Sequence, residues 1–151
     1  MGVRKEAPLE TRIRALFDRY ARAFNQALVD EPDLDEIATF YAPEFIAASP
    51  AGVATGRNDD RLRAVMAQGY DRYRAIGTRD MRVRSVRVTP VDDLHALAHV
   101  AWIATYARPD LSETRIDFEV AYLVQDLGEG PRIFGWVTGD EEAALKAHGV
   151  V

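Results

Sequence analysis

Two histidines, His95 and His99, have the spacing of a metal-binding pair if they lie on a helix. Residues four apart share a helix face, so one ion could bind both imidazoles. On a β-strand the same step spans about 13 Å, at roughly 3.3 Å per residue, which is too far for one ion. Because their segment is predicted below to be a strand, we expect no metal site. Either histidine could instead face Asp117 or Glu119 across a strand pair as an acid–base dyad, although a surface or dimer contact is the preferred interpretation.

Other reactive groups are scarce in the sequence. The chain has no cysteine, which removes disulfides, thiolate nucleophiles and Cys-ligated zinc. It has no phosphate-binding glycine loop and no nucleophile-elbow sequence. Two acidic stretches, Asp59–Asp60 and Glu141–Glu142, stand at predicted helix starts, where negative charge favours the helix dipole. We therefore interpret them as helix-start charges rather than as catalytic pairs.

Four arginines could suggest a phosphate or nucleic-acid surface: Arg79, Arg82, Arg84 and Arg87. A solvated strand face, or a strand edge protected by charge, is the ordinary explanation for such a run. The net charge of −5 also argues against a broad basic surface, so we expect no nucleic-acid partner.

Aromatic residues are the main candidates for a ligand pocket. Most of them belong in a core, but a buried tyrosine O–H or tryptophan N–H needs a partner, and an unpaired one costs about 1–3 kcal/mol. Several tyrosines in one cavity would therefore bind water, a ligand or each other. Tyr20, Tyr70 and Trp102 are the leading pocket candidates. The predicted ligand-binding set is Phe17, Phe24, Phe45, Met66, Tyr70, Trp102, Phe118, Tyr122 and Trp136.

Apolar residues at three- and four-residue steps predict helices in the first half of the chain and at its end. Asp33 and Asn58 are the expected N-caps of the second and third helices, and Gly77 is the expected stop of the third. The predicted helical spans are 9–28, about 33–41, about 58–76 and 140–149.

Strands are predicted where apolar and polar residues alternate. Segment 94–110 is ambiguous, because its leucine and alanine content would also suit a helix. We assign it as a strand, because its second half is rich in β-branched and aromatic residues and it lies between two better strands. The predicted strand spans are 44–49, 81–91, 94–110, 112–127 and 132–139.

This order of elements predicts one α+β domain over residues 1–151. The N-terminal helices should pack on the concave face of a strongly curved, mainly antiparallel sheet. A bent sheet wrapped over a long helix tends to leave a cavity at its open end, which is the default binding-site hypothesis.

Several motifs of the chain resemble the nuclear-transport-factor-2-like superfamily. They are "RYARAFN", "DLDEIATFYAPEFIAASPAG", "GRNDDRLRAVMAQ" and "RIFGWVTG", and the C-terminal "GDEEAALKAHG" is similar to the tail of bacterial members. This is the cone-shaped, cystatin-like fold of ketosteroid isomerases, scytalone dehydratase and SnoaL-like polyketide cyclases. The resemblance covers about residue 9 to the end. The fold also hosts hydrolases and non-catalytic domains, so the resemblance implies a fold rather than one reaction.

Compared with the ketosteroid isomerase pattern, the resemblance implies roles for four residues. Tyr20 matches the tyrosine that stabilises an oxyanion, and Ser49 stands where that family has its basic aspartate. A serine hydroxyl is not a base unaided, so steroid isomerisation by that route is not expected. The late-strand acid falls near Val120, with Asp117 and Glu119 in the opposite register. A one-residue shift of the strand would move Glu119 into the cavity.

The sequence therefore predicts a protein that binds an apolar small molecule and needs no cofactor. If it is an enzyme, we expect a cofactor-free lyase or isomerase, with Tyr20 as donor, Ser49 as a second polar contact and Asp117 or Glu119 as base. A homodimer through the sheet is implied by the resemblance and by apolar residues on both faces near Trp102. The alternative is a non-catalytic interaction domain of the same fold.

The start of the chain lacks the apolar core of a signal peptide, and no run approaches the ~20 apolar residues of a membrane span. We therefore expect a cytoplasmic protein without a membrane partner.

Overall fold

The computed structural model describes residues 7–110 and 112–151 of the chain. It confirms the α+β class, with four helices and six strands in this part of the chain. The helices are α1 (Leu9–Val29), α2 (Leu34–Ala38), α3 (Asp60–Ala75) and α4 (Glu141–Ala147). The strands are β1 (Tyr41–Ser49), β2 (Gly52–Arg57), β3 (Thr78–Pro90), β4 (His95–Ala107), β5 (Glu113–Asp126) and β6 (Pro131–Val137).

The strands form one sheet in the order β2-β1-β6-β5-β4-β3. β1 runs parallel to β6, and every other neighbouring pair in this sheet is antiparallel. The sheet is therefore mainly antiparallel, as predicted, with one parallel pair where the chain crosses from its first half to its last strand.

β4 is the ambiguous segment of the sequence, and the structure confirms that it is a strand. Its buried positions alternate with half-buried ones along the whole strand, and Trp102 and Tyr106 lie on the inner face. β4 pairs with β3 on one side and β5 on the other, so its backbone groups are satisfied across the sheet. This two-sided pairing outweighs the helix propensity of its alanines and leucines.

Two local predictions were wrong at the start of the sheet. Residues 52–57 form β2, which is missing from the predicted strands because "GVATGR" shows no clear alternation. The cap of α3 is Asp59, whose carboxylate accepts from the Arg61 and Leu62 amides at 3.0 and 3.2 Å. Asn58 instead donates to the carbonyls of Ala38 and Tyr41 at 2.8 and 3.0 Å, which ties the end of α2 to the start of α3.

α1 is fixed to the sheet near both of its ends by polar contacts. Near its start, Arg12 pairs with the buried Asp126, whose carboxylate also accepts from the Gly128 amide at 2.8 Å. Near its end, the Asn25 side chain donates to the Met81 carbonyl and accepts from the Met81 amide, both at 2.8 Å. Tyr20 lies between these two contacts, so both of them hold it in place relative to the sheet.

The two histidines of β4 are not paired directly with the acids of β5. His95 is paired with Gln125 and His99 with Ala121, whereas Asp117 is opposite Ile103. His95 Nδ1 lies 2.8 Å from an oxygen of Asp92 in the preceding turn. Glu119 is opposite Ala101, and among the described residues no hydrogen bond joins either histidine to Asp117 or Glu119, so the alternative dyad is not formed in this structure.

In residues 7–110 and 112–151, no three His, Asp or Glu side chains form a group that could hold a metal ion. No helix in the described part of the chain is long and apolar enough to cross a membrane. The cytoplasmic location stays a prediction.

Candidate functional site

A cavity of about 590 Å³ lies between the inner face of the sheet and the helices that cover it. α1 contributes Tyr20 and Phe24, and β4 contributes Trp102 and Tyr106. The rest of the wall comes from β1, α3, β3, β5 and β6, and α4 with the residues before it closes one side. The cavity therefore gathers side chains from nearly the whole length of the chain.

Tyrosines dominate the wall. Five of the six tyrosines in the sequence contribute to it: Tyr20, Tyr41, Tyr73, Tyr106 and Tyr122. The sixth, Tyr70, packs edge-on against Phe24, with the ring centroids 5.4 Å apart. The wall of the cavity is thus mostly apolar, but it carries several hydroxyl groups.

Four residues in the wall form what we call the inner polar cluster: Tyr20, Tyr41, Trp102 and Tyr122. The Tyr41 hydroxyl donates to the Tyr20 hydroxyl at 3.3 Å, and Trp102 Nε1 donates to the Tyr122 hydroxyl at 3.2 Å. Tyr41, Trp102 and Tyr122 are only 9%, 2% and 5% exposed. The Tyr20 ring lies between its partners, with its centroid 5.6 Å from Trp102 and 6.3 Å from Tyr122.

Burial keeps the hydroxyls of this cluster neutral. It raises the pKa of Tyr41 and of Tyr122 well above the ordinary value for tyrosine. It also raises the pKa of Tyr20, while hydrogen bonds with Tyr41 and Tyr122 act in the opposite direction. The Tyr20 hydroxyl accepts a hydrogen bond from Tyr41, so its own proton remains available to a ligand. This arrangement suits a neutral oxygen acceptor on which negative charge can develop.

Two acidic residues at the start of α4 form what we call the acidic rim: Asp140 and Glu141. Both contribute to the wall and both are exposed. Asp140 caps α4 by accepting from the Ala143 amide at 2.9 Å. Glu141 accepts a hydrogen bond from the Tyr73 hydroxyl at 3.0 Å. Among the described residues, the wall includes no arginine, lysine or histidine.

The register of β5 decides the placement of the predicted acids. Ile116, Phe118 and Val120 contribute to the cavity wall, so no one-residue shift has occurred. Glu119 adds atoms to the wall, but the alternation of the strand puts its side chain on the outer face. Neither acid is therefore directed into the cavity from β5.

Asp117 lies wholly outside the wall. It is held on the outer face by Arg115 at 2.8 Å, with Arg84 at 3.6 Å. The hydrogen bond from Arg115 lowers the pKa of the Asp117 carboxyl. This network of arginines explains its position without any contact to a ligand.

Ser49 also lies away from the cavity. It is the last residue of β1, it is exposed, and its Oγ accepts from the Ala51 amide at 3.2 Å. This bond stabilises the tight connection from β1 to β2, which is the local role of a serine in a turn. The structure does not bring Ser49 together with Tyr20.

Five of the nine predicted ligand-binding residues contribute to the wall: Phe24, Trp102, Phe118, Tyr122 and Trp136. The other four, Phe17, Phe45, Met66 and Tyr70, lie outside it. Phe17 is fully buried behind Tyr122, with ring centroids 4.7 Å apart. Phe45 stacks on Trp136 and covers Gly56, where a Cβ would lie 2.4 Å from its ring.

Sequence reasoning missed Tyr41, Tyr73, Tyr106 and Glu141 as wall residues. Tyr106 had a signal, because it is four residues after Trp102 and therefore shares its strand face. Tyr73 shares the inward stripe of α3. No signal in the sequence could have identified Glu141, because its contact to Tyr73 joins residues that are 68 positions apart in the chain.

Comparison with known proteins agrees with this architecture. Residues 7–141 match the model of a family described as NTF2-like protein (DUF6841). A comparison with curated proteins gives no match.

Three solved structures from bacteria have a similar fold. An NTF2-like protein with a cystatin-like fold from Novosphingobium aromaticivorans has 14% identity and a TM-score of 0.69, over 94% of this chain and 88% of that one. Aln2 from a Streptomyces species has 14% identity and a TM-score of 0.68, over 94% and 98%. A candidate polyketide cyclase from Xanthomonas campestris has 19% identity and a TM-score of 0.56, over 95% and 99%. At these identities the structures show the fold alone, whereas the family match spans most of the sequence, and the chain therefore belongs to the NTF2-like family described as DUF6841.

Proposed function

We propose that the protein binds a small, largely apolar molecule with a neutral oxygen acceptor, such as a ketone. The observation that carries this proposal is the inner polar cluster within an aromatic cavity. The volume of about 590 Å³ lies inside the range of roughly 300–1,000 Å³ that is typical of small-molecule sites. An apolar wall with a few converging hydroxyls favours a ring compound whose oxygen reaches Tyr20.

We further propose that any catalysis at this site is cofactor-free acid–base chemistry of the lyase or isomerase kind. Tyr20 would donate to the carbonyl oxygen and stabilise negative charge as it develops there, supported by its neighbours in the cluster. The similarity in fold to a candidate polyketide cyclase supports the same reaction class. The steroid isomerase route stays disfavoured, because position 49 carries an exposed serine instead of a base.

The proposal is tested with 2-acetylnaphthalene, an apolar bicyclic ring with one carbonyl acceptor. We expect calorimetry to show binding to the wild-type protein. Tyr20→Phe should weaken binding by about 2- to 13-fold, because one neutral hydrogen bond contributes roughly 0.5–1.5 kcal/mol. 2-Ethylnaphthalene, which lacks the acceptor, should bind wild type and variant equally.

Tyr70→Phe is the matched control, because it removes a tyrosine hydroxyl that lies outside the wall. It should leave the affinity for 2-acetylnaphthalene unchanged. The absence of binding to the wild-type protein would overturn the proposed function. Equal loss of affinity in both variants would show that Tyr20 is not the hydrogen-bond donor to the ligand carbonyl.

A second proposal concerns the outer face of the sheet, through which we propose that two copies pair. Ile46 and Val137 are 41% and 53% exposed on adjacent strands. Gly135 lies between Ile46 and Leu123, and a Cβ there would be 2.9 Å from each side chain, so these apolar groups meet across β6.

Analytical ultracentrifugation tests this pairing. Leu97→Glu, on the outer face of β4, should convert a wild-type dimer into monomers, because a charge would be buried without a partner. Val65→Glu, on the exposed side of α3, is the control that should leave the dimer intact. A monomeric wild-type protein would contradict the proposal. A dimer that binds neither naphthalene compound would favour the non-catalytic interaction domain.

A further inference from the structure

The three consecutive acids at the start of α4 have three different environments. Asp140 is engaged by the Ala143 amide as a helix cap. Glu142 is bound by Arg72, with Nη2 2.6 Å from Oε2, and does not contribute to the cavity wall. Glu141 contributes to the wall and contacts Tyr73. Glu141 is thus the acid of this trio that a ligand can reach without disrupting a cap or an ion pair.

The Glu141 carboxylate has one oxygen left for a ligand. Among the described residues, the Tyr73 hydroxyl is the one group that donates to it, through Oε1 at 3.0 Å. Burial raises the pKa of Tyr73, and the charge of Glu141 and their hydrogen bond raise it further, so Tyr73 stays a donor at neutral pH. Tyr73 therefore orients the carboxylate while Oε2 remains an acceptor.

The field of Glu141 extends into the cavity. Burial is the main cause of the raised pKa of Tyr20, and the Glu141 charge adds to it. The pKa of Tyr106 is raised to about 12 by the same two causes in the same order. With Asp140 also in the wall, and no basic residue there among the described residues, the rim is negatively charged. Such a rim repels anions and attracts hydrogen-bond donors.

We propose that Glu141 is a specificity-determining residue whose carboxylate binds a hydrogen-bond donor, such as a hydroxyl, on the mouth-side end of the ligand. The ligand class is then a neutral, largely apolar ring compound with an oxygen acceptor at one end and a donor at the other. Carboxylate-bearing compounds of the same size are rejected. This inference rests on the proposed function, because it assigns the second end of the same ligand.

Three compounds that share a ring and an acetyl group separate the two ends of the site. They are 6-acetyl-2-naphthol, its methyl ether, and 6-acetyl-2-naphthoic acid. The acetyl oxygen is constant, while the second substituent is a donor, a non-donor or an anion. With the wild-type protein at neutral pH, calorimetry should show the naphthol binding at least about tenfold more tightly than the ether, because hydrogen bonds to charged groups are worth roughly 1.5–3 kcal/mol. The naphthoic acid should bind more weakly than the ether.

Glu141→Gln keeps the shape of the side chain and removes its charge. We expect it to reduce the preference for the naphthol to about two- to threefold, since a neutral hydrogen bond is weaker than a charged one. It should also improve binding of the naphthoic acid and leave binding of the methyl ether unchanged. Glu142→Gln is the matched control, because it removes the neighbouring carboxylate outside the wall, and it should keep the wild-type order of affinities.

The outcomes distinguish this inference from the proposed function. Equal affinity of the naphthol and the ether for the wild-type protein, with both binding, would overturn the role of Glu141 and leave the proposed function standing. Loss of the preference in Glu142→Gln to the same extent as in Glu141→Gln would also overturn it. Failure of all three compounds to bind the wild-type protein would overturn both. Unchanged affinity of Glu141→Gln for the ether confirms that the variant is folded.

Discussion

The inner polar cluster and the acidic rim are two ways of placing polar groups around one cavity. In the cluster, buried hydroxyls and an indole N–H bind one another and remain neutral. In the rim, exposed carboxylates keep their contact with water and carry charge. The difference follows from desolvation, because an unpaired charge in the buried cluster would cost far more than a hydroxyl that is hydrogen-bonded.

In the proposed function, this contrast suits the two regions to different tasks. The cluster is preorganised by packing, since its rings contact one another and Tyr41 and Trp102 already donate within it. It therefore suits recognition of one neutral acceptor in a fixed position. The rim is held by a cap and exposed pairs and acts over a longer range, so it suits selection by charge. Mutations should accordingly affect stability in the cluster and selectivity at the rim.

The largest expected effect is on stability, from truncation within the cluster. Trp102→Ala removes a side chain that is 2% exposed and the donor to Tyr122. We expect the free energy of unfolding to fall by about 4 kcal/mol. Urea denaturation measures this change, and Glu141→Gln at the rim should change stability by less than about 0.5 kcal/mol in the same assay. Similar losses of stability in Trp102→Ala and Glu141→Gln would contradict the contrast between the cluster and the rim.

An intermediate effect is expected from alkaline pH. The pKa of Tyr41 in the folded chain is raised above its ordinary value of 10.0. Below pH 10 both states keep the proton, so this contribution is fully present. As the pH rises above 10, the unfolded chain loses a proton that the folded chain keeps, and the free energy of unfolding falls. The fall is at most about 1.4 kcal/mol per pH unit for each such tyrosine.

Tyr41→Phe should therefore lose stability less steeply than the wild-type protein between pH 10 and 11. Urea denaturation at pH 9, 10 and 11 gives the two slopes. Identical slopes would show that Tyr41 ionises in the folded protein as readily as in the unfolded chain.

The smallest expected effect is at the contact that holds α4 beside the rim. Arg72 and Glu142 form an exposed pair, and such pairs contribute little to global stability. Arg72→Gln should raise amide hydrogen exchange in residues 141–147 by a few fold and leave the urea midpoint unchanged. Exchange that rises equally in β4 would mean that the rim and the cluster open together rather than separately.

Most of the secondary structure could be predicted from the sequence because its signals are local. The apolar steps of α1 and the alternation along β5 are present in any short window of residues. The composition of β4 alone was ambiguous. It was assigned correctly because it also lies between two segments with clearer strand patterns. β2 was missed because an exposed, glycine-containing strand has no buried face to leave a periodic signal.

The candidate site was predictable only in part. Trp102 and Tyr122 could be identified as cavity residues because strand alternation puts them on the same face as other apolar groups. Ser49 and Asp117 were selected by matching positions to a family pattern, and both have local partners outside the cavity. Glu141 was interpreted as a helix-start charge, since nothing near it in the sequence indicates a tyrosine.

The sequence by itself determined most of the elements, their faces and the aromatic character of the cavity, because each of these depends on the spacing of residues close together in the chain. Only the tertiary structure decided which acid reaches the cavity. That choice depends on the pairing of β5 with β4 and on the packing of α4 against α3, and both bring together residues that are far apart in the chain.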